Sequence, residues 1–277
     1  MKGISALIVC HNEESVIESC LTSIGTCVDE IILIHDGQCT DNTIKIAQKY
    51  TRRIFETNVQ KGIGESWYMM GFKLCKYDWI LRIDADEFLS TELQTNIKEL
   101  INTNKYDAYS FIWPMWDGEK YISYKALRKN FLFRKSKIGF IDMFHYPIKV
   151  LGKISKSNFI VHHKPKYNNW TKETFEKKQK KWAKLQAADF VKPIVSKARI
   201  GLDLDTLENE KRKKLVLYSI PLVVLAITYL SSIKRMVNEP LIIFDRGFWI
   251  ASKFSSKYSY EVALEVKKIL KTKDGKA

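Results

Sequence analysis

Leu81–Phe88 reads LRIDADEF. Trp79, Ile80, Leu81 and Ile83 are apolar and carry the backbone straight into three acids within four positions, Asp84, Asp86 and Glu87. Paired carboxylates at the end of a buried strand raise each other's pKa and need a counter-charge. A divalent cation supplies one, since hard oxygen ligands suit Mg2+ or Mn2+. A phosphate ester on that cation would make the stretch a holder for a nucleotide diphosphate. The plainer reading is a solvated strand-to-helix turn, with an Asp capping the helix that opens at Thr91.

Upstream, Ile4–Cys10 is a short apolar run stopped by His11-Asn12-Glu13-Glu14, and Glu30–His35 is a second, stopped by Asp36-Gly37. Ser15–Ile24, Thr40–Tyr50 and Glu65–Cys75 carry helical patterns, and Arg53–Phe55 is a weak third strand before Trp79–Ile83. Strands alternating with helices over short connections predict a parallel, doubly wound α/β sheet. Ligands bind past the carboxyl ends of such strands. His11-Asn12-Glu13, Asp36 and Asp84–Asp86 therefore line one edge. Asp36 alone reads as an Asp-Gly turn residue; the three groups together read as a ligand edge.

After Glu92 the pattern becomes α+β. A helix is expected over Glu92–Ile101, with strands over Tyr106–Trp116, Asn130–Arg134 and Phe159–His163. The domain reading is an α/β unit over 1–165, divided into halves over 1–104 and 105–165, followed by a basic helical region over 166–277. Thr171–Phe190 reads as a basic helix with Phe175, Trp182 and Leu185 on one face. Lys211-Arg212-Lys213-Lys214 then precedes the uncharged run Leu215–Ile233, closed by Lys234-Arg235. That run passes the length of a membrane span, but Ser and Thr interrupt it and basic clusters flank both ends. Helices lying on an anionic membrane face, a packed soluble subdomain and a true span all stay open.

The 277 residues carry 46 basic and 31 acidic side chains, a net charge of +15, and 45% apolar residues. A disordered chain is excluded. Residues 1–150 hold 19 basic and 19 acidic side chains, so the whole excess lies in the C-terminal part. This asymmetry points to an anionic surface there, lipid or nucleic acid. The five cysteines, at 10, 20, 27, 39 and 75, form no CxxC pair and read as reduced thiols of a cytosolic protein.

The segments ALIVCHNEESVIESCLTSI (6–24), VDEIILIHDGQCTDNTIKIA (28–47) and DWILRIDADEFLS (78–90) together resemble the family 2 glycosyltransferases of GT-A fold. More loosely, FLFRKSKIGFIDMFHYPIKVLGKI (131–154) and FIVHH (159–163) resemble the branch that builds lipopolysaccharide cores and other envelope glycans. The resemblance implies an inverting transfer from a nucleotide-sugar, commonly a UDP-sugar, with Mn2+ or Mg2+, to a glycan or lipid-linked acceptor. It places Cys10, Asn12, Glu13, Asp36, Lys61, Asp84 and Ala85 about the nucleotide-sugar. It places Asp84, Asp86 and His162 at the metal, and Asp86, Asp142 and His145 in catalysis, the last two as candidate bases. The expected location is the cytoplasm, peripheral on the inner membrane face, with no nucleic-acid partner.

Two positions depart from the family pattern. Tyr68-Met69 stands where Arg-Asn is usual, so Lys61, Arg128 or Arg134 would have to meet the diphosphate. His145-Tyr146 stands where His-Glu is frequent. A polyprenyl-phosphate acceptor would need no base, because it is already a nucleophile. A nucleotidyltransferase is the other enzyme reading, and it lacks its Gly-rich phosphate loop here. A degenerate transferase acting as a glycan- or nucleic-acid-binding protein is the non-enzyme reading.

Overall fold

The computed structural model describes residues 2–62, 64–144, 146–194 and 199–274. The run Ile4–Cys10 forms strand β1, buried at every position but Val9. Burial on both faces is what a central parallel strand requires. Ile4, Ala6, Ile8 and Cys10 enter one core while Leu7 enters the other, as the two-residue period of a strand dictates. Then follow α1 (Ile17–Ile24), β2 (Glu30–His35), α2 (Thr43–Ala47), β3 (Ile54–Glu56), α3 (Tyr68–Leu74), β4 (Trp79–Arg82), β5 (Glu87–Leu89) and α4 (Thr91–Asn102). Next are β6 (Ala108–Ile112), the hairpin β7 (Met115–Trp116) and β8 (Tyr121–Ser123), β9 (Arg128–Arg134), β10 (Ile138–Ile141), β11 (Lys149–Val150) and β12 (Ile154–His163).

The main sheet has the order β3-β2-β1-β4-β9-β6-β12-β5. Its first four strands are parallel, as expected, and β12 is parallel to β6. β9 runs antiparallel between β4 and β6, and β5 closes the far edge antiparallel to β12. The result is a mixed, mainly parallel α/β sheet of the GT-A kind, with the carboxyl ends of β1, β2 and β4 on one edge. The short strand β5 is absent from the sequence reading, because three residues beginning with an acid carry no usable periodicity. The plainer reading of LRIDADEF also changes. The cap of α4 is Ser90, whose Oγ accepts from Leu93 N, and not an Asp.

Beyond β12 lie α5 (Lys172–Thr174), a π-helical turn (Phe175–Gln179), α6 (Lys180–Val191), β13 (Arg199–Ile200), α7 (Leu204–Tyr218), α8 (Pro221–Asn238), a 3-10 turn (Pro240–Phe244) and α9 (Arg246–Asp274). The expected helix over 171–190 is present but its buried face is different. The π turn adds a residue to the winding and shifts the phase, so Phe175, Ala183, Ala187 and Phe190 are buried while Leu185 is exposed. α9 carries Phe248, Ala251, Val262 and Val266 into buried positions. The uncharged run Leu215–Ile233 is broken at Ser219–Ile220 and shared between α7 and α8.

Phe72 of α3 is 1% exposed and packs edge-on against Phe133 and Phe140 at centroid separations of 6.2 and 5.8 Å. Phe72→Ala should lower stability by about 3–5 kcal/mol, the usual cost of emptying a buried aromatic site. Urea denaturation at neutral pH checks this.

Candidate active site

Asp84 to Glu87 form a tight turn between β4 and β5, closed by Glu87 N donating to Asp84 O at 3.0 Å. Alternation along the turn sends Ala85, Glu87 and Leu89 into the core and leaves Asp84, Asp86 and Phe88 half-buried. The carboxylate of Glu87 is fully buried and fully bonded. Oε2 accepts from Asp84 N at 2.8 Å, and Oε1 accepts from Trp113 Nε1 and Lys129 Nζ, both at 2.7 Å. Burial, then the neighbouring Asp84, push its carboxyl up.

Lys129 Nζ also donates to Asp84 Oδ2 at 2.6 Å, and Arg82 Nη1 lies 3.6 Å from Asp84 Oδ1. Burial works against the Asp84 charge, but Lys129 and then Arg82 outweigh it and hold the carboxyl well below the usual range. Arg82 is oriented by Tyr68, whose hydroxyl accepts from Nη1 at 2.7 Å. Tyr68 therefore replaces the lost Arg with a hydrogen bond to another Arg, carried on β4. Neither Arg128 nor Arg134 fills the vacancy. Arg128 donates to Ser110 O and Ser157 O, and Arg134 pairs with Asp78 at the opposite edge of the sheet. The cations at the motif are Lys129 and Arg82.

Asp86 Oδ2 lies 3.3 Å from His163 Nε2, and Asp86 O accepts from Lys164 N at 2.9 Å. The His163 ring stacks on Trp113 at 4.3 Å. His162, expected at the metal, is the adjacent residue of the same strand, and the pleat turns it away. It stacks on Phe88 at 4.9 Å, and its Nδ1 lies 3.2 Å from Tyr121 Oη. Burial, then Lys164, lower its pKa. Contact with Asp86 thus moves from His162 to His163.

At the end of β1, Asn12 has φ 52°. Its N donates to His35 Nε2 at 3.1 Å, while His35 Nδ1 donates to Gly37 O at 2.7 Å. His11 Nδ1 donates to Asp36 O at 2.6 Å. Both rings donate from Nδ1 to a backbone carbonyl after β2 and so tie the β1 and β2 ends together. The Asn12 side chain exchanges two bonds with Thr40. Lys166 Nζ donates to Asn12 O at 2.9 Å and lies 3.2 Å from Glu13 Oε2. Burial raises the Glu13 carboxyl, and Lys166 opposes it. The segment Lys164–Lys166 thus links the Asp86 turn to the β1 end.

Asp36 is 3% exposed, and its carboxylate accepts three bonds: Lys61 N at 2.8 Å, Gly62 N at 2.7 Å and Trp67 Nε1 at 2.7 Å. In this arrangement it organises the loop before α3, and Lys61 Nζ sits 4.0 Å over the Trp67 ring. The side chains of Cys10 and Ala85 are buried in the core, where burial pushes the Cys10 thiol up. Any part those two take must come from backbone. Asp142 stands in the turn after β10, apart in sequence and sheet from the β4 turn, and His145 lies outside the described residues. Tyr146 donates to Glu210 Oε2 of α7 at 3.2 Å. The site residues absent from the sequence reading are Arg82, Lys129, His163, Lys164 and Lys166. The run HHKPK (162–166) was the visible signal for the last three; Lys129 had none.

Glu87, Lys129, Asp84 and Arg82 form one charged unit at the carboxyl edge of an α/β sheet, the edge where open sheets of this kind bind their ligands. The chain belongs to glycosyl transferase family 2, whose model matches residues 5–181. It is a glycosyltransferase. It is 30% identical over 208 residues to an uncharacterized glycosyltransferase of Rickettsia typhi, covering 69% of each chain. It is also 30% identical over 103 residues to the lipopolysaccharide core biosynthesis glycosyltransferase LpsC of Rhizobium meliloti, covering 35% of this chain and 37% of that one. Among solved structures, S. aureus TarS aligns with a TM-score of 0.47 at 14% identity, over 74% of this chain and 41% of that chain.

The linkage between charge and pH fixes a test. Glu87 has a raised pKa, so its protonation favours the folded state as pH falls, while Lys129 opposes that shift and its three donors match the carboxylate form. Replacing Lys129 by Met leaves that buried charge uncompensated, costing about 3–5 kcal/mol at pH 7. As pH falls through the raised pKa of Glu87, its protonation relieves the charge and part of the loss should return. Denaturant melts of wild type and Lys129→Met from pH 7 to 4.5 check the sign.

Proposed function

We propose that the chain is a metal-dependent, inverting glycosyltransferase that moves a sugar from a nucleotide-sugar, in the first place a UDP-sugar, to a glycan or lipid-linked acceptor of the cell envelope. The observation that carries the reading is the Asp84–Asp86 turn, with one acid held ionised by Lys129 and Arg82 and the other facing His163. The stretch of similarity to LpsC supports an envelope acceptor.

Among the described residues no group of three or more His, Cys, Asp or Glu is arranged to hold a metal by itself. Mg2+ and Mn2+ sites on phosphate substrates commonly use one or two protein carboxylates and take the remaining ligands from phosphate and water. Asp86, half-buried beside His163, fits that role, and Asp84 fits a role toward the ribose and diphosphate. A bound cation there would neutralise charge growing on the departing diphosphate.

The protein's part is positioning and electrostatics. The acceptor oxygen attacks the anomeric carbon from the face opposite the diphosphate. The new carbon–oxygen bond forms as the bond to the diphosphate breaks, and the nucleotide leaves with the bonding pair. A hydroxyl acceptor gives its proton to a base, for which Asp142 and His145 remain the candidates. A phosphate acceptor, as in a polyprenyl phosphate, has no such proton to give. Lys164 and Lys166 flank the mouth and match an anionic donor.

Thermal melting with and without Mn2+ against UDP, GDP, TDP and CMP tests the donor site, since a ligand of the folded state raises the midpoint by mass action. One nucleotide should give a metal-dependent rise that Asp86→Ala abolishes. No rise with any of the four, in folded protein, removes the reading. In the same enzyme, Asp86→Asn should reduce kcat/KM for transfer by about 100-fold or more, read by nucleotide release from the matching donor.

A further inference from the structure

The C-terminal helices leave one long apolar surface uncovered. On α8, Leu222, Ile227, Leu230, Ile233 and Val237 are all exposed, Leu222 at 71% and Val237 at 72%. These positions share one stripe of the helix. The 3-10 turn extends it with Leu241 at 72% and Phe244 at 81% exposed, and Trp249 opens α9 half-exposed. A soluble monomer does not ordinarily present so many large apolar side chains in one tract. The hydroxyls that interrupt the run do not oppose burial in lipid. Thr228, Ser231 and Ser232 each donate to a carbonyl three or four residues back in their own helix, so their polar atoms are already satisfied.

The surround is basic. Arg212 and Lys213 before the stripe, Lys234 within its last turns and Arg246 after the 3-10 turn are exposed. They belong to the part of the chain that holds the whole excess of 15 positive charges. A second copy of the chain would bring two such rims together, which disfavours self-association. An anionic lipid surface satisfies both the stripe and the rim.

The shape of the tract suits lying on a surface better than crossing one. No single described helix is long and apolar enough to cross; α7 and α8 pass that test only together, and they meet at 104°. The tract is also pinned to the β7–β8 hairpin and the residues that follow it. Arg235 donates to Ala126 O and to Lys125 O, the latter at 2.7 Å, and Ser123 Oγ donates to Asp245 Oδ2 at 2.8 Å. Those bonds fasten the apolar tract to the β7–β8 hairpin. The same hairpin presents Trp116 and Tyr121 to Lys164, at 5.0 and 5.8 Å, and Lys164 N donates to Asp86 O. The uncovered surface and the mouth of the site are thus joined through one hairpin.

We infer that α8, the 3-10 turn Pro240–Phe244 and the start of α9 form a monotopic docking face for an anionic lipid membrane, seated beside the mouth of the active site. Its bearing on the acceptor rests on the glycosyl-transfer reading; its binding to lipid does not. The experiment is therefore run without donor or acceptor. The full chain is sedimented with vesicles of phosphatidylcholine alone and with equal parts phosphatidylglycerol.

The expected result is binding to the mixed vesicles and not to phosphatidylcholine. The double variant Leu241→Glu/Phe244→Glu, both side chains on the surface, should weaken it at least about tenfold with an unchanged melting temperature. Folded protein that stays in the supernatant overturns the inference. So does binding that high salt abolishes but the double variant leaves intact, which would be surface charge alone. A concentration-dependent dimer dissolved by the same variant, with no vesicle binding, also overturns it and assigns the face to a second copy. The nucleotide-dependent melting shift stands or falls separately.

Discussion

The Lys129 ammonium sits between two carboxylates, 2.6 Å from Asp84 and 2.7 Å from Glu87, and the arrangement of the site depends on it. A buried carboxylate such as Glu87 is tolerable only when paired and fully hydrogen-bonded. With Lys129 and Trp113 meeting one oxygen, the other is free to hold the backbone N–H of Asp84. The turn that presents Asp84 and Asp86 is therefore fixed from beneath by a charge from β9, the neighbouring strand in the sheet but 45 residues along the chain from Asp84. Arg82 completes the balance and is aimed by Tyr68, so the residue that departs from the family pattern has a physical use.

The sheet supplies the remaining geometry. Parallel β1, β2 and β4 end on one edge, and the two histidines His11 and His35 lace the first two ends together. Asp36 uses its whole carboxylate to shape the loop that leads into α3. The antiparallel β9 and the late β12 then reach the same edge from the far side and deliver Lys129, His163 and the lysines that follow. Half of the site is built by the repeating strand–helix pattern, and the other half by strands that cross over to it.

The C-terminal helices do more than cover the sheet. α6, α7 and α9 enclose a core of their own with Met143 and Tyr146, while α8 turns its apolar stripe outward, Arg235 ties it to the residues just after the β7–β8 hairpin, and Asp245, after the 3-10 turn, accepts from Ser123 of β8. Backbone carbonyls take the arginine, so the attachment is specific in position without calling for a particular side chain at residues 125 and 126.

By itself the sequence determined the first four strands, the edge they share and the acids on it, because buried parallel strands are continuous apolar runs and the residue that stops each run is fixed by the chain. It also determined that positive charge is concentrated after residue 150. Only the tertiary structure decided which residues answer those acids. Lys129 lies between Arg128 and Asn130 in a stretch with no distinguishing pattern, and its role exists only because β9 is inserted beside β4. His163 rather than His162 meets Asp86 because a one-residue step along a strand reverses the face, and the register with β5, His163 opposite Glu87, sets which face that is. The buried side of α6 was likewise unreadable, since one π turn rotates every side chain after it. Local pattern carries the period of an element; partner, register and phase come from what it packs against.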